Sequence, residues 1–297
     1  VILIAGTVPI KGLPLVVGRV QVEAEALVIG GYRIPAAQGT AAMTSAACVT
    51  GDYLRLASPQ VVLAGDIGDG GGSREVYEYL IKNVASLGPT VLALHYCLPD
   101  MTLMRRLCRA VKDCRRRPLL IADAGAMYAA KAAGLASEFS VFTPDASELA
   151  FLADREATHP AYVSRHLFCV EAARTPALIV YAYRQHSAPR VLLVKGATDY
   201  IALDGDIVAT VTEPDVPELE AIGGTGDTIT GLLTAFADAG LELAGAALVA
   251  AKANRTAGKL VQATPATRVS QIISQFPAVF VEHLGRWSQS CALRSAL

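Results

Sequence analysis

Gly223-Gly224-Thr225-Gly226-Asp227, running straight into Thr228-Ile229-Thr230-Gly231-Leu232-Leu233, is the stretch on which the reading of this chain turns. A glycine-rich turn entering a helix leaves first-turn N–H groups without helical acceptors, all pointing at one spot, and the helix dipole favours negative charge there. Gly223, Gly224, Thr225 and Gly226 are therefore a candidate anion hole, with phosphate as the anion. Asp227 falls in the first turn, where it stabilises the helix end and could take the proton of a hydroxyl attacking phosphorus. A plain capped helix with Asp227 as a first-turn charge remains the alternative, although so many glycines exceed what a cap requires.

Outward from that turn the chain repeats a short apolar run, a glycine or acidic turn, and a longer amphipathic stretch. This is the pattern of βα units feeding a mostly parallel sheet, so the fold class is α/β. It predicts strands over Ala26–Ile29, Gln60–Ala64, Thr90–Leu94, Pro118–Ala122, Phe139–Phe142 and Val191–Val194. Helices are expected over about Ala36–Cys48, Arg74–Leu87, Met101–Cys114, Ala126–Gly134 and Ser147–Leu152. Tyr200–Leu203 and Asp206–Val211, split by Asp204-Gly205, read as a hairpin that adds a small antiparallel extension to the sheet. Pro176–Ser187 has strand-like Leu-Ile-Val but also Thr175-Pro176, a helix start, and is read as helix. Asp227–Ala237, Leu243–Val261 and roughly Arg268–His283 form an Ala-rich helical block. Val1–Ile10 is an initial strand or a docked arm. No Pro-, Ser- or charge-rich linker interrupts these parts, so residues 1–297 are expected to form a single domain, with 1–25 as the arm or strand and 262–297 as a helical tail.

Hydrophobic residues make up 53% and charged residues 18%, with a mean hydropathy of +0.40, which gives material for a large core and excludes the disordered class. Twenty-six basic against 27 acidic residues leave no overall field for nucleic acid or an anionic membrane. The expected partner is a small-molecule substrate. Asp238 and Glu242 break the longest apolar stretch, so no membrane span is expected. Cys48, Cys97, Cys108, Cys114, Cys169 and Cys291 contain no C-x-x-C pair and read mostly as buried thiols of a cytoplasmic protein. The histidines form no H-x-x-x-H or Cys/His cluster, so no dedicated transition-metal site is expected and metal ligands are not assigned. Arg105, Arg109, Lys112 and Arg116 share one helix face and read as solvated. The Ala-rich C-terminal helices and apolar N-terminus suit packing between copies, so a homo-oligomer is expected.

The Gly-Gly-Thr-Gly-Asp stretch with Gly231 resembles the signature of ribokinase-like kinases, and in particular their NAD(P)H-hydrate dehydratase branch. Further matches follow in the family's order. Val28-Ile29-Gly30-Gly31 with Ala36-Ala37 resembles its Ile-Gly-Gly-Ser and Gly-Ala, and Gly65-Asp66-Ile67-Gly68 its Gly-Pro-Gly-Leu-Gly. Leu120-Ile121-Ala122-Asp123-Ala124 resembles its Asp-Ala-Asp-Ala strand end. Phe142-Thr143-Pro144-Asp145-Ala146-Ser147-Glu148-Leu149 resembles its Leu-Thr-Pro-His-Pro-Gly-Glu-Phe, and Leu193-Val194-Lys195-Gly196-Ala197 its Leu-Lys-Gly-Ala. The matches run from about Ala26 to Gly258. The resemblance implies a three-layer αβα ribokinase-like fold, ATP or ADP as phosphoryl donor with Mg²⁺, and Asp227 as the catalytic residue. It implies nucleotide contacts at Lys195, Gly196, Ala197, Thr198, Asp199, Gly226 and Asn254, and a substrate pocket including Gly31, Ala36, Ala37, Gly65, Gly68, Asp123 and Asp145. The activity it implies is repair of hydrated NADH or NADPH through a phosphorylated intermediate. A kinase of a small alcohol, such as a sugar or vitamin precursor, would share the first step, and a non-catalytic nucleotide sensor would share the binding.

Each match also has a local reading. Asp145 and Glu148 are spaced as a capping box. Asp123, at a strand end, caps the next helix as economically as it lines a ligand cleft. Lys195 is an exposed turn residue or a cation over phosphates. Asp66 and Asp69 argue against a bare phosphate cradle in Gly65–Gly72 and suit hydroxyl or nicotinamide-side contacts. The run also lacks the G-x-x-x-x-G-K-[ST] arrangement. His95 ends a strand and reads more readily as a satisfied edge histidine than as a catalytic one. The sequence departs from the family pattern at Ile121, Asp145, Tyr32 and Asn254, where the family has Asp, His, Ser and His, while the glycine turn and its aspartate are intact.

Overall fold

The apolar start of the chain becomes strand β1, Ile2–Val8, with all seven residues buried. In the computed structural model, which describes residues 1–157 and 174–294, β1 lies inside a nine-stranded sheet between β6 (Gln60–Gly65) and β7 (Val91–His95) and runs parallel to both. A strand covered on both faces needs an unbroken apolar run and not an alternating one, and β1 and β7 both have it. The sheet continues from β7 through β8 (Leu119–Ala122), β9 (Val141–Phe142) and β10 (Val191–Val194), all parallel. The hairpin β11 (Asp199–Leu203) and β12 (Asp206–Val211) completes that side antiparallel, as expected, with Asp204 and Gly205 at positive φ in its turn. At the other edge β2 (Val16–Arg19) pairs antiparallel with β6.

Side chains alternate across this sheet into two cores. Ile2 and Ile4 enter one, Leu3 and Ala5 the other. The first is covered by α1 (Gly39–Tyr53), α7 (Thr225–Asp238), α8 (Leu243–Leu260), the short α9 (Val269–Ile273) and α10 (Phe276–Arg294). The second is covered by α2 (Gly71–Leu87), α3 (Met101–Lys112), α4 (Ala124–Ala132), α5 (Ala146–Ala153) and α6 (Thr175–Arg184). The result is three layers, αβα.

Two expectations are corrected. Ala26–Ile29 is a strand, but it belongs to a separate three-stranded antiparallel sheet, β3 (Gln21–Glu23), β4 (Ala26–Ile29) and β5 (Tyr32–Pro35). Gly30 and Gly31, at φ 56° and 86°, form the β4–β5 hairpin turn, where left-handed backbone matches strand twist. The helix expected over Arg268–His283 is two helices, because Pro277 has no N–H and its ring would clash with the carbonyl of Ile273 in a continuous one. Pro176 sits in the first turn of α6, where a missing N–H costs nothing.

Cys48, Cys97, Cys108 and Cys114 are buried free thiols; Cys169 and the Cys291 side chain lie outside the described residues. In the basic face of α3, Lys112 pairs with Glu138 and stays half exposed. Among the described residues no helix is long and apolar enough to cross a membrane.

One contact positions the site. At Gly231 a Cβ would overlap the Met43 carbonyl oxygen of α1. This glycine and the alanines Ala42, Ala46 and Ala47 let α1 and α7 pack backbone to backbone, which brings the N-termini of both helices together at the carboxyl edge of the sheet.

Candidate active site

Gly224 adopts φ 94° at the N-cap of α7, a left-handed conformation that disfavours a side chain. Immediately after it, the N–H groups of Gly226 and Asp227 meet no protein acceptor among the described residues. The Asp227 carboxylate is held at both oxygens. Its Oδ2 accepts the Gly39 N–H at 2.6 Å, from the first turn of α1, and its Oδ1 lies 3.0 Å from His95 Nε2, at the end of β7. Burial would raise the Asp227 pKa, but the hydrogen bond and charge of His95, with Lys195 and the Gly39 amide, outweigh it and hold the carboxyl below the usual aspartate range.

Cavities open on either side of this helix end. One, of about 350 Å³, is lined by Gly223, Gly224 and Asp227 together with Gly39, Asp66 and Tyr96. The other, of about 340 Å³, is lined by Thr225, Gly226 and Asn254 together with Lys195, Gly196, Ala197 and Asp199. Six of the seven residues expected at a nucleotide thus share one cavity; Thr198 does not line it. Ala36 and Ala37 line a third hollow, of about 310 Å³, which shares Gln38 and Gly223 with the Asp227 cavity.

Several expected site residues are placed differently. Gly31 is exposed in its hairpin turn and does not line the Asp227 cavity. Gly65 is a packing glycine, since a Cβ there would overlap the Ile10 carbonyl, and Gly68 is an open turn residue at φ 104°. Asp66, not either glycine, reaches the cavity from this loop. Its carboxylate accepts from the N–H groups of Gly68, Gly70 and Ser73 and from the Ser73 hydroxyl, and Asp69 accepts from Gly71, so both aspartates organise the loop. Asp145 is exposed and forms the capping box of α5 with Glu148, outside both cavities.

Asp123 is 2% exposed and fully engaged: Oδ1 accepts the Ala124 N–H, Oδ2 accepts the Thr230 hydroxyl at 2.6 Å, and Lys195 Nζ donates to both oxygens at 3.1 and 2.8 Å. Lys195 is consequently no free turn cation; its ammonium is spent on Asp123 while its chain lies against Gly226. Burial opposes its charge, but the carboxylates of Asp123 and Glu148 raise its pKa. Burial, and then the Asp123 charge, push Glu148 up to about 7. Asp199 accepts from Arg255 at 2.7 Å and from the Gly196 N–H, and Asn254 accepts the Thr228 hydroxyl.

His95 Nε2 and one oxygen each of Asp123 and Asp227 lie within 4.8 Å of one another. Mg²⁺ demands near-octahedral oxygen ligation and keeps several waters. A corner in which His95 and Asp123 are buried and both Asp123 oxygens already bind an ammonium does not fit that ion.

Sequence reasoning weighed His95 and set it aside, and gave no role to Tyr96, Gly39 or Arg255. The first two end β7, where the rule that ligands gather at the carboxyl ends of parallel strands points. Gly39 contributes only backbone, which no side-chain pattern reveals. Arg255 directly follows Asn254, and its guanidinium ties the loop together by donating to Asp199 and to the Gly196 and Ala197 carbonyls at 2.7 and 2.8 Å.

The family model described as NAD(P)H-hydrate dehydratase, of the carbohydrate-kinase group, matches residues 90–278. The chain belongs to this family. An uncharacterized protein of Methanocaldococcus jannaschii is 34% identical over 235 residues, 79% of this chain and 96% of that one. The ADP-dependent (S)-NAD(P)H-hydrate dehydratase of Xanthomonas campestris is 29% identical over 252 residues, 84% of this chain and 80% of that one. Among solved structures, the ADP/ATP-dependent NAD(P)H-hydrate dehydratase from Bacillus subtilis, co-crystallised with ATP and Mg²⁺ and soaked with CoA, superposes with a TM-score of 0.57. It is 14% identical, covers 95% of this chain and 90% of its own, and shows the fold alone. The fold is ribokinase-like. The protein is an enzyme of the NAD(P)H-hydrate dehydratase or kinase type.

Proposed function

We propose that the protein is a nucleotide-dependent NAD(P)H-hydrate dehydratase in which the N-terminus of α7 lies between phosphoryl donor and acceptor. The observation that carries this reading is the placement of that helix end between two cavities, with the unpaired amides of Gly226 and Asp227 at the junction and the Asp227 carboxylate on one side only. ADP or ATP occupies the cavity of Gly196, Ala197 and Asn254, and Mg²⁺ arrives on its phosphates as part of the donor. The hydrate occupies the Asp227 cavity and extends past Gln38 towards the adjoining hollow of Ala36 and Ala37.

Asp227 acts as general base. The ring hydroxyl loses its proton to an Asp227 oxygen, its oxygen bonds to the terminal phosphorus, and the bond from phosphorus to the nucleotide oxygen breaks with its electron pair on the nucleotide. The amides of Gly226 and Asp227 stabilise charge on the phosphoryl group in flight, while the Thr225 N–H is already given to the Ile222 carbonyl. Phosphorylation makes the oxygen a good leaving group: the C–O bond breaks with its electrons on phosphate, and loss of a proton from the adjacent ring carbon restores the double bond of the reduced nicotinamide.

Incubating the protein with hydrated NADH, Mg²⁺ and either nucleotide tests this. Recovery of NADH absorbance with one nucleotide consumed per turnover is expected. Nucleotide consumption only with a different alcohol would replace the dehydratase by a small-molecule kinase.

A further inference from the structure

His95 ends β7 with no exposed surface and lines neither cavity, yet it touches the Asp227 carboxylate, which faces the acceptor side. Resting on the reading of Asp227 as the base, we propose that His95 is its positioning residue: Nε2–H holds Asp227 Oδ1 from behind, and Thr40 fixes the imidazole.

An ionised carboxylate only accepts hydrogen bonds, so at 3.0 Å from Asp227 Oδ1 the Nε2 atom carries the hydrogen. Nδ1 lies 3.0 Å from Thr40 Oγ1, and that hydroxyl lies 2.8 Å from the Thr7 carbonyl oxygen. With a neutral ring, Thr40 donates to Nδ1. With a protonated ring, Nδ1–H donates to Thr40, whose hydroxyl turns to Thr7. The bond from Nε2 to Asp227 survives in both states. Since the Gly39 N–H holds Oδ2, both oxygens are anchored on the protein side and their remaining lone pairs are left for the acceptor hydroxyl.

The other groups around the ring do not compete for this role. Asp123, from the end of β8, lies 3.7 Å from Nε2, but its charge is matched by Lys195 from β10. Tyr96 meets the ring edge-on at a centroid distance of 4.4 Å, and Glu148 on α5 interacts with Asp123, Lys195 and Tyr128 and is in no ion pair with the ring. α1 presents Thr40 and no charge. The backbone bends sharply after the histidine: Tyr96 takes φ 51° and its carbonyl is held by the Thr7 hydroxyl. The left-handed turn sends Tyr96 into the cavity while His95 stays behind the carboxylate.

The test compares His95→Gln, whose amide nitrogen can reach the Nε2 position, with His95→Leu, which has no donor. Carboxyl-carbon NMR titration reads Asp227 without substrate, and the pH profile of kcat is measured with hydrated NADH, Mg²⁺ and nucleotide. His95→Leu is expected to move the Asp227 midpoint and the acid limb of kcat up by about one pH unit. It should lower kcat about 10- to 100-fold with little change in KM. His95→Gln restores most of both. Thr40→Val, a near-isosteric change, gives the same direction at smaller size and serves if His95→Leu does not fold. An unmoved midpoint in His95→Leu, or equal losses in the Leu and Gln variants, overturns the proposal. The base itself is tested separately by Asp227→Asn: retained turnover there removes the base while the titration still decides whether His95 holds the carboxylate.

Discussion

Asp227 and Glu148 both feel the buried Asp123–Lys195 ion pair, and their carboxyls are displaced in opposite directions. Burial pulls the Asp227 pKa up, but His95 and the Gly39 amide hold it low, so the carboxyl stays ionised and, as the proposed base, remains available down to acidic pH. Asp227→Asn is expected to lower kcat by about 10²–10⁴-fold while nucleotide affinity is kept, measured by steady-state kinetics and calorimetry. Glu148 is pushed up to about 7 by burial and by Asp123, from an ordinary 4.5. Between those values the folded state binds more protons than the unfolded chain, so this carboxyl makes stability fall as pH rises from 4.5 to 7 and adds a constant penalty above. Glu148→Gln should flatten that slope and raise stability at pH 8 by on the order of 1–3 kcal/mol, read from denaturant unfolding at pH 5 and pH 8. At this scale the sequence was legible where a residue's conformation is set by its own backbone turn, as with Gly224 at the N-cap of α7. It was not legible where a role depends on a partner far along the chain: His95 and Asp227 are 132 residues apart, and nothing local in His95-Tyr96-Cys97 announces that contact.

Helix ends and strand ends carry the next level. The capping box spelled by Asp145 and Glu148 could be read directly from spacing, and the exposed aspartate does no more than that in the structure. Asp145→Ala should cost about 1 kcal/mol. That corresponds to about 2–4 °C in Tm, with substrate KM unchanged. Gly231→Val should cost about 1–3 kcal/mol by forcing α1 away from α7, and it should also impair turnover, because the same displacement pulls the Gly39 amide off Asp227. Arg255 holds the β10–β11 loop from α8, so Arg255→Met is expected to raise the nucleotide KM about 10-fold or more with a smaller effect on kcat at saturation. The βα rhythm located most elements within a few residues because apolar runs and turn glycines report burial directly. It misassigned Ala26–Ile29 because a short apolar run has the same composition in either sheet, and only pairing decides which one it joins.

Across the whole molecule, a sheet with two apolar faces and helices on both sides explains why 53% hydrophobic residues and a net charge of −1 can accompany phosphate chemistry. Charge is supplied locally, by helix N-termini brought together through α1–α7 packing and by ion pairs buried at the carboxyl edge of the strands. The N-terminal residues, which carry no recognisable motif, supply the inner strand on which His95 and Asp66 are registered, since β1 pairs with both β6 and β7. In the proposed reaction the end of α7 separates donor from acceptor, with Asp227 serving the acceptor. A single-turnover experiment with hydrated NADH, Mg²⁺ and bound ADP or ATP measures it most directly, following reduced nicotinamide and the nucleotide product in wild type and Asp227→Asn. Both signals should rise together, one for one, in the wild type, and neither should rise in Asp227→Asn although the nucleotide stays bound. Equal single-turnover rates in the two proteins, or reduced nicotinamide formed without nucleotide cleavage, would contradict it.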